Sequence, residues 1–155
     1  HFVLARVPKD QIRDWRQYRF FSGYSEDNQP VWSEDIRKRA PVFTHPGNCY
    51  RSGITWNPGL RRYLWCQTIQ VSSSESHTFD GGLSDVRFRG GLGIFESENP
   101  WGPWKTVFYT REGDIGPGET SSIPPRWLSG DGRTGFLLFS GDDFFSLREL
   151  YFKER

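Results

Sequence analysis

Apolar and aromatic residues come along this chain in short runs, separated by glycine, proline and polar clusters, a pattern that predicts strands and tight turns rather than helices. Phe2-Val3-Leu4-Ala5-Arg6-Val7 and Gln17-Tyr18-Arg19-Phe20-Phe21 read as the first two strands. Residues 24–48 are polar and rich in turn formers, and are expected to be a long loop with one helical turn near Ser33–Arg39. Four strands then follow one another, Tyr50 to Thr55, Arg61 to Val71, Leu92 to Glu96 and Lys105 to Thr110. After the glycine-rich link Glu112–Glu119, three more are expected at Ser121 to Leu128, Arg133 to Ser140 and Ser146 to Lys153.

Aligned with one another, these runs repeat. Phe2–Arg6 and Tyr18–Ser22 resemble Gly91–Phe95 and Thr106–Thr110, at offsets of 89 and 88 residues. The hairpin Tyr50–Gln67 returns as Ser121–Phe139 about 72 residues on. Weakly self-similar units of four short antiparallel strands are the mark of propeller blades. The expected fold is therefore all-β, a β-propeller of which this chain supplies about the last two and a half blades. Residues 1–23 would be the outer strands of one blade, 49–110 a complete blade and 119–155 three strands of the last. A blade buries its faces only against its neighbours, so the N-terminal portion of the same propeller becomes an expected partner. The competing architecture is a self-contained β-sandwich. Ile123-Pro124-Pro125-Arg126-Trp127 favours the propeller, because proline is confined to strand edges and an innermost strand has one free edge.

Composition narrows the function. Aromatics make up 17% of the 155 residues, which suits strand-rich packing, while 20 Lys+Arg against 19 Asp+Glu leave no electrostatic footprint for nucleic acid. No apolar run approaches the ~20 residues of a membrane span. Two cysteines and three scattered histidines lack the spacing of a zinc site, and no cofactor is expected, a metal ion in the channel being the one left open. Pairing Thr55 with Leu60 around Trp56-Asn57-Pro58-Gly59 sets Cys49 directly opposite Cys66. Cross-strand separations of ~4.5–5.5 Å allow a disulfide there, and with it an extracellular or periplasmic location. Two free thiols in a cytosolic protein is the alternative.

Strand direction sorts the loops between two faces. The links that enter the innermost strands and the second-to-third turns share the face on which propeller sites usually open. His45, Tyr50, Arg51, the serine-rich segment Ser72–Arg89 with His77, Glu119, Asp142 and Asp143 belong to it. Pairing Ser129 with Arg133 across Gly130-Asp131-Gly132 sets Glu119 opposite Asp143. Two neighbouring carboxylates can split their pKa values and leave one protonated as a general acid; exposed turn carboxylates are the plain alternative. Arg51 could clamp a carboxylate or hydroxyls, or serve as a structural partner of Glu119. Tyr50, His45, His77 and Asp142 are candidate substrate contacts. Pro100-Trp101-Gly102-Pro103-Trp104 looks like a sugar-stacking platform but falls on the other face, as Trp56 does, and reads as a structural turn.

Leu4–Asp10, Cys49–Asn57, Gly93–Glu96 with Pro100–Trp104, and Phe139–Asp143 resemble five-bladed propellers of the glycoside-hydrolase type. The nearest set is domain-of-unknown-function family 4185, which includes endo-D-arabinanases, and the resemblance spans nearly the whole chain. It implies a secreted, glycan-active protein, a glycoside hydrolase acting on a polysaccharide, without nucleic-acid or membrane partners. In such enzymes the principal carboxylates come mostly from the first three blades, so Arg51 and Glu119 would contribute from the last ones. A non-catalytic carbohydrate-binding propeller, a polysaccharide lyase and a protein-interaction propeller are the other functions compatible with this face.

Overall fold

The computed structural model describes residues 1–45, 52–70, 90–110, 120–141 and 144–153. These build an all-β protein of small antiparallel sheets. The strands are β1 (Phe2–Val3), β2 (Ala5–Arg6), β3 (Arg19–Tyr24), β4 (Pro30–Ser33), β5 (Pro41–Phe43) and β6 (Ser52–Asn57). Beyond them come β7 (Arg62–Gln70), β8 (Gly90–Ser97), β9 (Lys105–Thr110), β10 (Thr120–Ser122), β11 (Thr134–Gly141) and β12 (Phe144–Tyr151). The chain divides into two compact units, His1–Pro46 with Trp101–Pro103, and Gly47–Pro100 with Trp104–Arg155. Among the described residues no helix is long and apolar enough to cross a membrane.

The first unit holds the pair β1-β5 and the three-stranded sheet β2-β3-β4. Residues 24–48, expected as a loop, thus contribute two strands, each short and opened by a proline, which keeps them from standing out by pattern. The expected helical turn is a 3-10 turn, Ile36–Lys38, opened by Asp35, whose carboxylate accepts from the Arg37 backbone N–H at 3.0 Å. The Arg37 guanidinium also donates to this exposed carboxylate and holds it down at about 2. The unit packs around Phe21, fully buried, with Tyr24 and Trp32 edge-on at 5.2 and 6.0 Å. Trp32 meets Trp101 edge-on at 5.9 Å and carries the Arg6 guanidinium 4.1 Å above its ring. Tyr24 donates its hydroxyl to the Trp101 carbonyl at 3.0 Å.

The second unit contains the four-stranded sheet β6-β7-β8-β9 and the three-stranded sheet β10-β11-β12, each in chain order. The repeat read from sequence is visible in the ladders: Ala5 pairs with Phe20 in the first unit, and Ile94, 89 residues on, pairs with Phe108, 88 residues on. Period-two alternation turns Leu64, Cys66, Leu92 and Ile94 of one sheet against Ile123, Leu137 and Phe139 of the other, and these seven side chains form the core. Leu128, Leu150 and Phe152 pack at its margin.

Two expected registers are corrected. β6 runs on to Asn57, which pairs with Arg62, so Thr55 lies opposite Leu64 and Cys66 opposite Gly53. The cause is local: Asn57 Oδ1 accepts from the Leu60 N–H at 3.1 Å, and Arg61 takes a left-handed φ of 52° to close a longer turn. The four-residue slip removes the geometry that paired Cys49 with Cys66, and Cys66 is a free, fully buried thiol. In the last sheet β10 is only three residues long, because Pro124 and Pro125 lead into a 3-10 turn, Pro125–Trp127, instead of continuing the strand. Thr120 pairs with Ser140, two residues out of step with the ladder that had set Glu119 opposite Asp143.

Candidate functional site

β6 and β10 lie against each other and run in the same direction. Gly53 abuts Ser121 and Ser122 so closely that a Cβ there would stand 2.9 Å from the Ser121 carbonyl oxygen. Two residues on, Thr55 Oγ1 donates to the Ile123 carbonyl at 2.6 Å. At the far end Asn57, fully buried, donates from Nδ2 to the Gly132 carbonyl at 2.8 Å and so clasps the turns of the two sheets together. Gly59 and Gly132 have no room for a side chain there, each facing backbone or side-chain atoms of the other turn at less than contact distance.

Both strands therefore begin at one end of the unit. The same end receives the C-terminus of β7, since Ser52 pairs with Gln67, and the β11–β12 hairpin, closed by the pair Gly141 and Phe144 beside the Thr120–Ser140 pair. Ser121, just inside this end, is buried, and its hydroxyl has no hydrogen-bond partner among the described residues. The sequence places Ser121 on the favoured face beside Glu119 but does not signal its burial, which comes from the approach of Gly53.

The predicted site residues divide sharply. Tyr50, Arg51, His77, Glu119, Asp142 and Asp143 all lie outside the described residues, as does Cys49. In sequence four of them adjoin the ends just named: Arg51 precedes Ser52, Glu119 precedes Thr120, and Asp142-Asp143 separate Gly141 from Phe144. His45 belongs to the first unit, where it is partly buried with its ring edge-on to Phe43 at 6.4 Å. Cys66 has no chemistry to offer, since burial pushes its thiol up to about 12 and leaves it protonated in the core. Among the described residues no group of three or more His, Cys, Asp or Glu could hold a metal ion.

The aromatic turn behaves as its position suggested. Trp104 stacks edge-on against the buried Trp65 at 4.9 Å, and Trp101 is engaged with Trp32 and Tyr24 in the first unit. Trp56 leans on Tyr63 at 4.7 Å with part of its ring exposed. A concavity of about 990 Å³ opens between the outer strands of the two sheets. Leu64, Ile94, Leu137 and Leu150 form part of its floor, and Lys105, Arg148 and Glu149 are among its walls. Comparison of the chain with protein-family models, with curated proteins and with solved structures finds no match.

Proposed function

We propose that the chain is part of a β-propeller that binds and hydrolyses a polysaccharide, with the sugar held at the end of the second unit where β6 and β10 begin. The observation that carries this reading is the side-by-side, same-direction course of those two strands, from Gly53 against Ser121 to Thr55 on the Ile123 carbonyl. Successive blades bring their innermost strands together in this way and fan apart outward, and the crevice between the outer strands is the widening expected of such a fan. A sandwich would instead keep its two sheets about 10 Å apart throughout.

The reading gives Arg51, Tyr50, Glu119 and the Asp142-Asp143 pair their roles. Arg51 and Glu119, one residue ahead of neighbouring strands, serve one site from adjacent blades. Arg51 holds a sugar hydroxyl or carboxylate through its guanidinium fork, with Tyr50 stacking beside it. Glu119 acts as an acid or base with a second carboxylate, which Asp142 or Asp143 supplies from the hairpin ending next to Thr120. The separation of the working pair sets the outcome, about 5–5.5 Å for retention and about 6.5–9.5 Å for inversion. A polymer substrate of this kind is met outside the cytoplasm, extracellularly or in a periplasm.

The test is a panel of polysaccharides that includes arabinans. Release of reducing ends supports hydrolysis. Binding without release makes the protein a carbohydrate-binding propeller, unsaturated products make it a lyase, and neither binding nor release refutes a glycan function.

A further inference from the structure

Two turns at one end of the sheet β2-β3-β4 are built alike. The β2–β3 connection meets this end because Arg6 pairs with Arg19, and the chain leaving β4 meets it because Ser33 pairs with Phe20. Each carries a 3-10 turn opened by an aspartate, Asp14 before Trp15–Gln17 and Asp35 before Ile36–Lys38. In each the aspartate accepts from the backbone N–H of an arginine two residues on. Arg19 ties the turns together, donating to the Arg16 and Tyr18 carbonyls at 2.8 and 3.0 Å and pairing with Glu34 at 2.7 Å. Along residues 8–18 the backbone bonds run from Gln11 to Pro8, Asp14 to Gln11, Gln17 to Asp14 and Tyr18 to Trp15, and the Tyr18 hydroxyl donates to the Ile12 carbonyl at 2.9 Å. A framework bonded in this way fixes its side chains, and it holds apolar ones outward: Trp15 is 76%, Ile12 59% and Ile36 51% exposed. One exposed apolar side chain needs no explanation, but three on two clasped turns do.

The charges on these turns do not balance. With Arg19 on Glu34 and Arg37 on Asp35, the cations left without a carboxylate partner are Lys9, Arg13, Arg16, Lys38 and Arg39, against Asp10 and Asp14. The Arg16 guanidinium lies 5.4 Å from the centroid of the Trp15 ring, so aromatic and cation are presented together. We propose that this end of the first unit is a docking surface for an acidic polysaccharide, one that carries carboxylates on its sugar rings. A uronate ring has an apolar CH face, a rim of hydroxyls and an anionic group. Trp15 takes the face, Ile12 and Ile36 cover neighbouring CH groups, and Arg13, Arg16 and Lys38 meet the carboxylates. Asp10 and Gln11, both exposed, accept from the hydroxyls. Side chains this exposed line no groove, and the turns offer no strand edge, which are the forms in which peptides dock. A sheet of anionic lipid would repel Asp10, whereas a sugar supplies it with donors. A repeating polymer reaches both turns at once, so individually weak contacts add. The inference rests on the glycan half of the proposed function and adds a class of polymer to it, without depending on the site in the second unit.

The test uses the full chain with polygalacturonate and the same polymer methyl-esterified, binding being read as retardation in gels that contain the polymer. The acid form binds saturably, at least about tenfold more tightly than the ester, and less tightly as salt rises. Trp15→Ala weakens this binding at least about tenfold, and so does Arg13→Glu combined with Lys38→Glu. All three side chains are exposed, so the urea midpoint stays that of the parent. Lys105→Glu combined with Lys153→Glu, the same change of charge in the second unit, leaves binding as it was. Equal binding of acid and ester, binding of neither, variants that bind like the parent, or a preference for anionic phospholipid vesicles through the same residues overturns the proposal. Its failure is separable from that of the proposed function. Release of reducing ends from a neutral arabinan, with no binding of polygalacturonate, removes this surface alone. Binding of polygalacturonate that Trp15→Ala abolishes, with no release from any polysaccharide, removes hydrolysis alone.

Discussion

Replacing Asn57 with alanine is the sharpest probe of how the two sheets of the second unit are joined. The side chain is fully buried, donates to the Gly132 carbonyl at 2.8 Å, and accepts from the Leu60 N–H at 3.1 Å. Truncation leaves both backbone groups without their partner. A buried unsatisfied group costs about 1–3 kcal/mol. Gly132 is buried and bears most of that loss; Leu60 is only partly buried, so water recovers some of its bond. The two together give a loss of about 3 kcal/mol. Asn57→Asp keeps the acceptor for Leu60 but sets a carboxylate against the Gly132 carbonyl, and is expected to be at least as damaging. Urea unfolding followed by tryptophan fluorescence measures both, with the denaturant slope unchanged and the midpoint lowered. A loss below about 0.5 kcal/mol for Asn57→Ala would refute the clasp, since that is the scatter of ordinary surface substitutions.

Other outcomes follow from the same geometry. Gly53→Ala puts a Cβ 2.9 Å from the Ser121 carbonyl oxygen and from Ser122 Cβ, so it should cost about 1–3 kcal/mol by overpacking, measured by the same unfolding. Burial raises the Cys66 thiol from 9.0 to about 12, so the fold keeps it neutral while the unfolded chain ionises it. Its contribution to stability is thus whole below about pH 9 and lost as pH rises toward about 12. Unfolding measured across that window should show a steeper alkaline decline in the parent than in Cys66→Ala, and parallel curves would contradict the burial. Trp104→Ala should lower stability by about 2 kcal/mol through loss of its contact with Trp65, leaving glycan turnover of the folded protein intact. Arg51→Ala should do the reverse and cut turnover tenfold or more, each factor of ten being about 1.36 kcal/mol of transition-state stabilisation.

The middle sheet was legible because its strands carry β-branched and aromatic residues between turn formers, and all four formed in the expected order. Register was not, and for a stated reason. A hairpin ladder is set by its turn, and the β6–β7 turn depends on a side-chain hydrogen bond from Asn57 and a left-handed Arg61 that pattern does not reveal. The expectation of Cys49 opposite Cys66 failed for that reason; the ladder that had set Glu119 opposite Asp143 is out of step by two residues because of the 3-10 turn at Pro125–Trp127, and both carboxylates lie outside the described residues. The double proline was read as a strand edge, whereas proline's fixed φ and missing donor favoured the 3-10 turn that replaced it. Of the candidate site, what sequence could supply was the sorting of loops by strand direction. In the second unit the strand ends next to Arg51, Glu119 and Asp142-Asp143 lie together, and the aromatic turn near Trp104 lies with the opposite ends. The burial of Ser121 and Asn57 was not legible, because only the approach of the second sheet buries them.

The most direct test of the account is to titrate the isotope-labelled chain with the oligosaccharide, arabinan-derived or other, that performs best in the polysaccharide panel, and to follow backbone amide shifts. The account predicts saturable shifts at Ser52, Gly53, Thr120 and Ser121, where β6 and β10 begin, with the clasped turns at Asn57 and Gly132 unmoved. Shifts centred on those turns or on Trp104, with Ser52 and Thr120 unchanged, would contradict it.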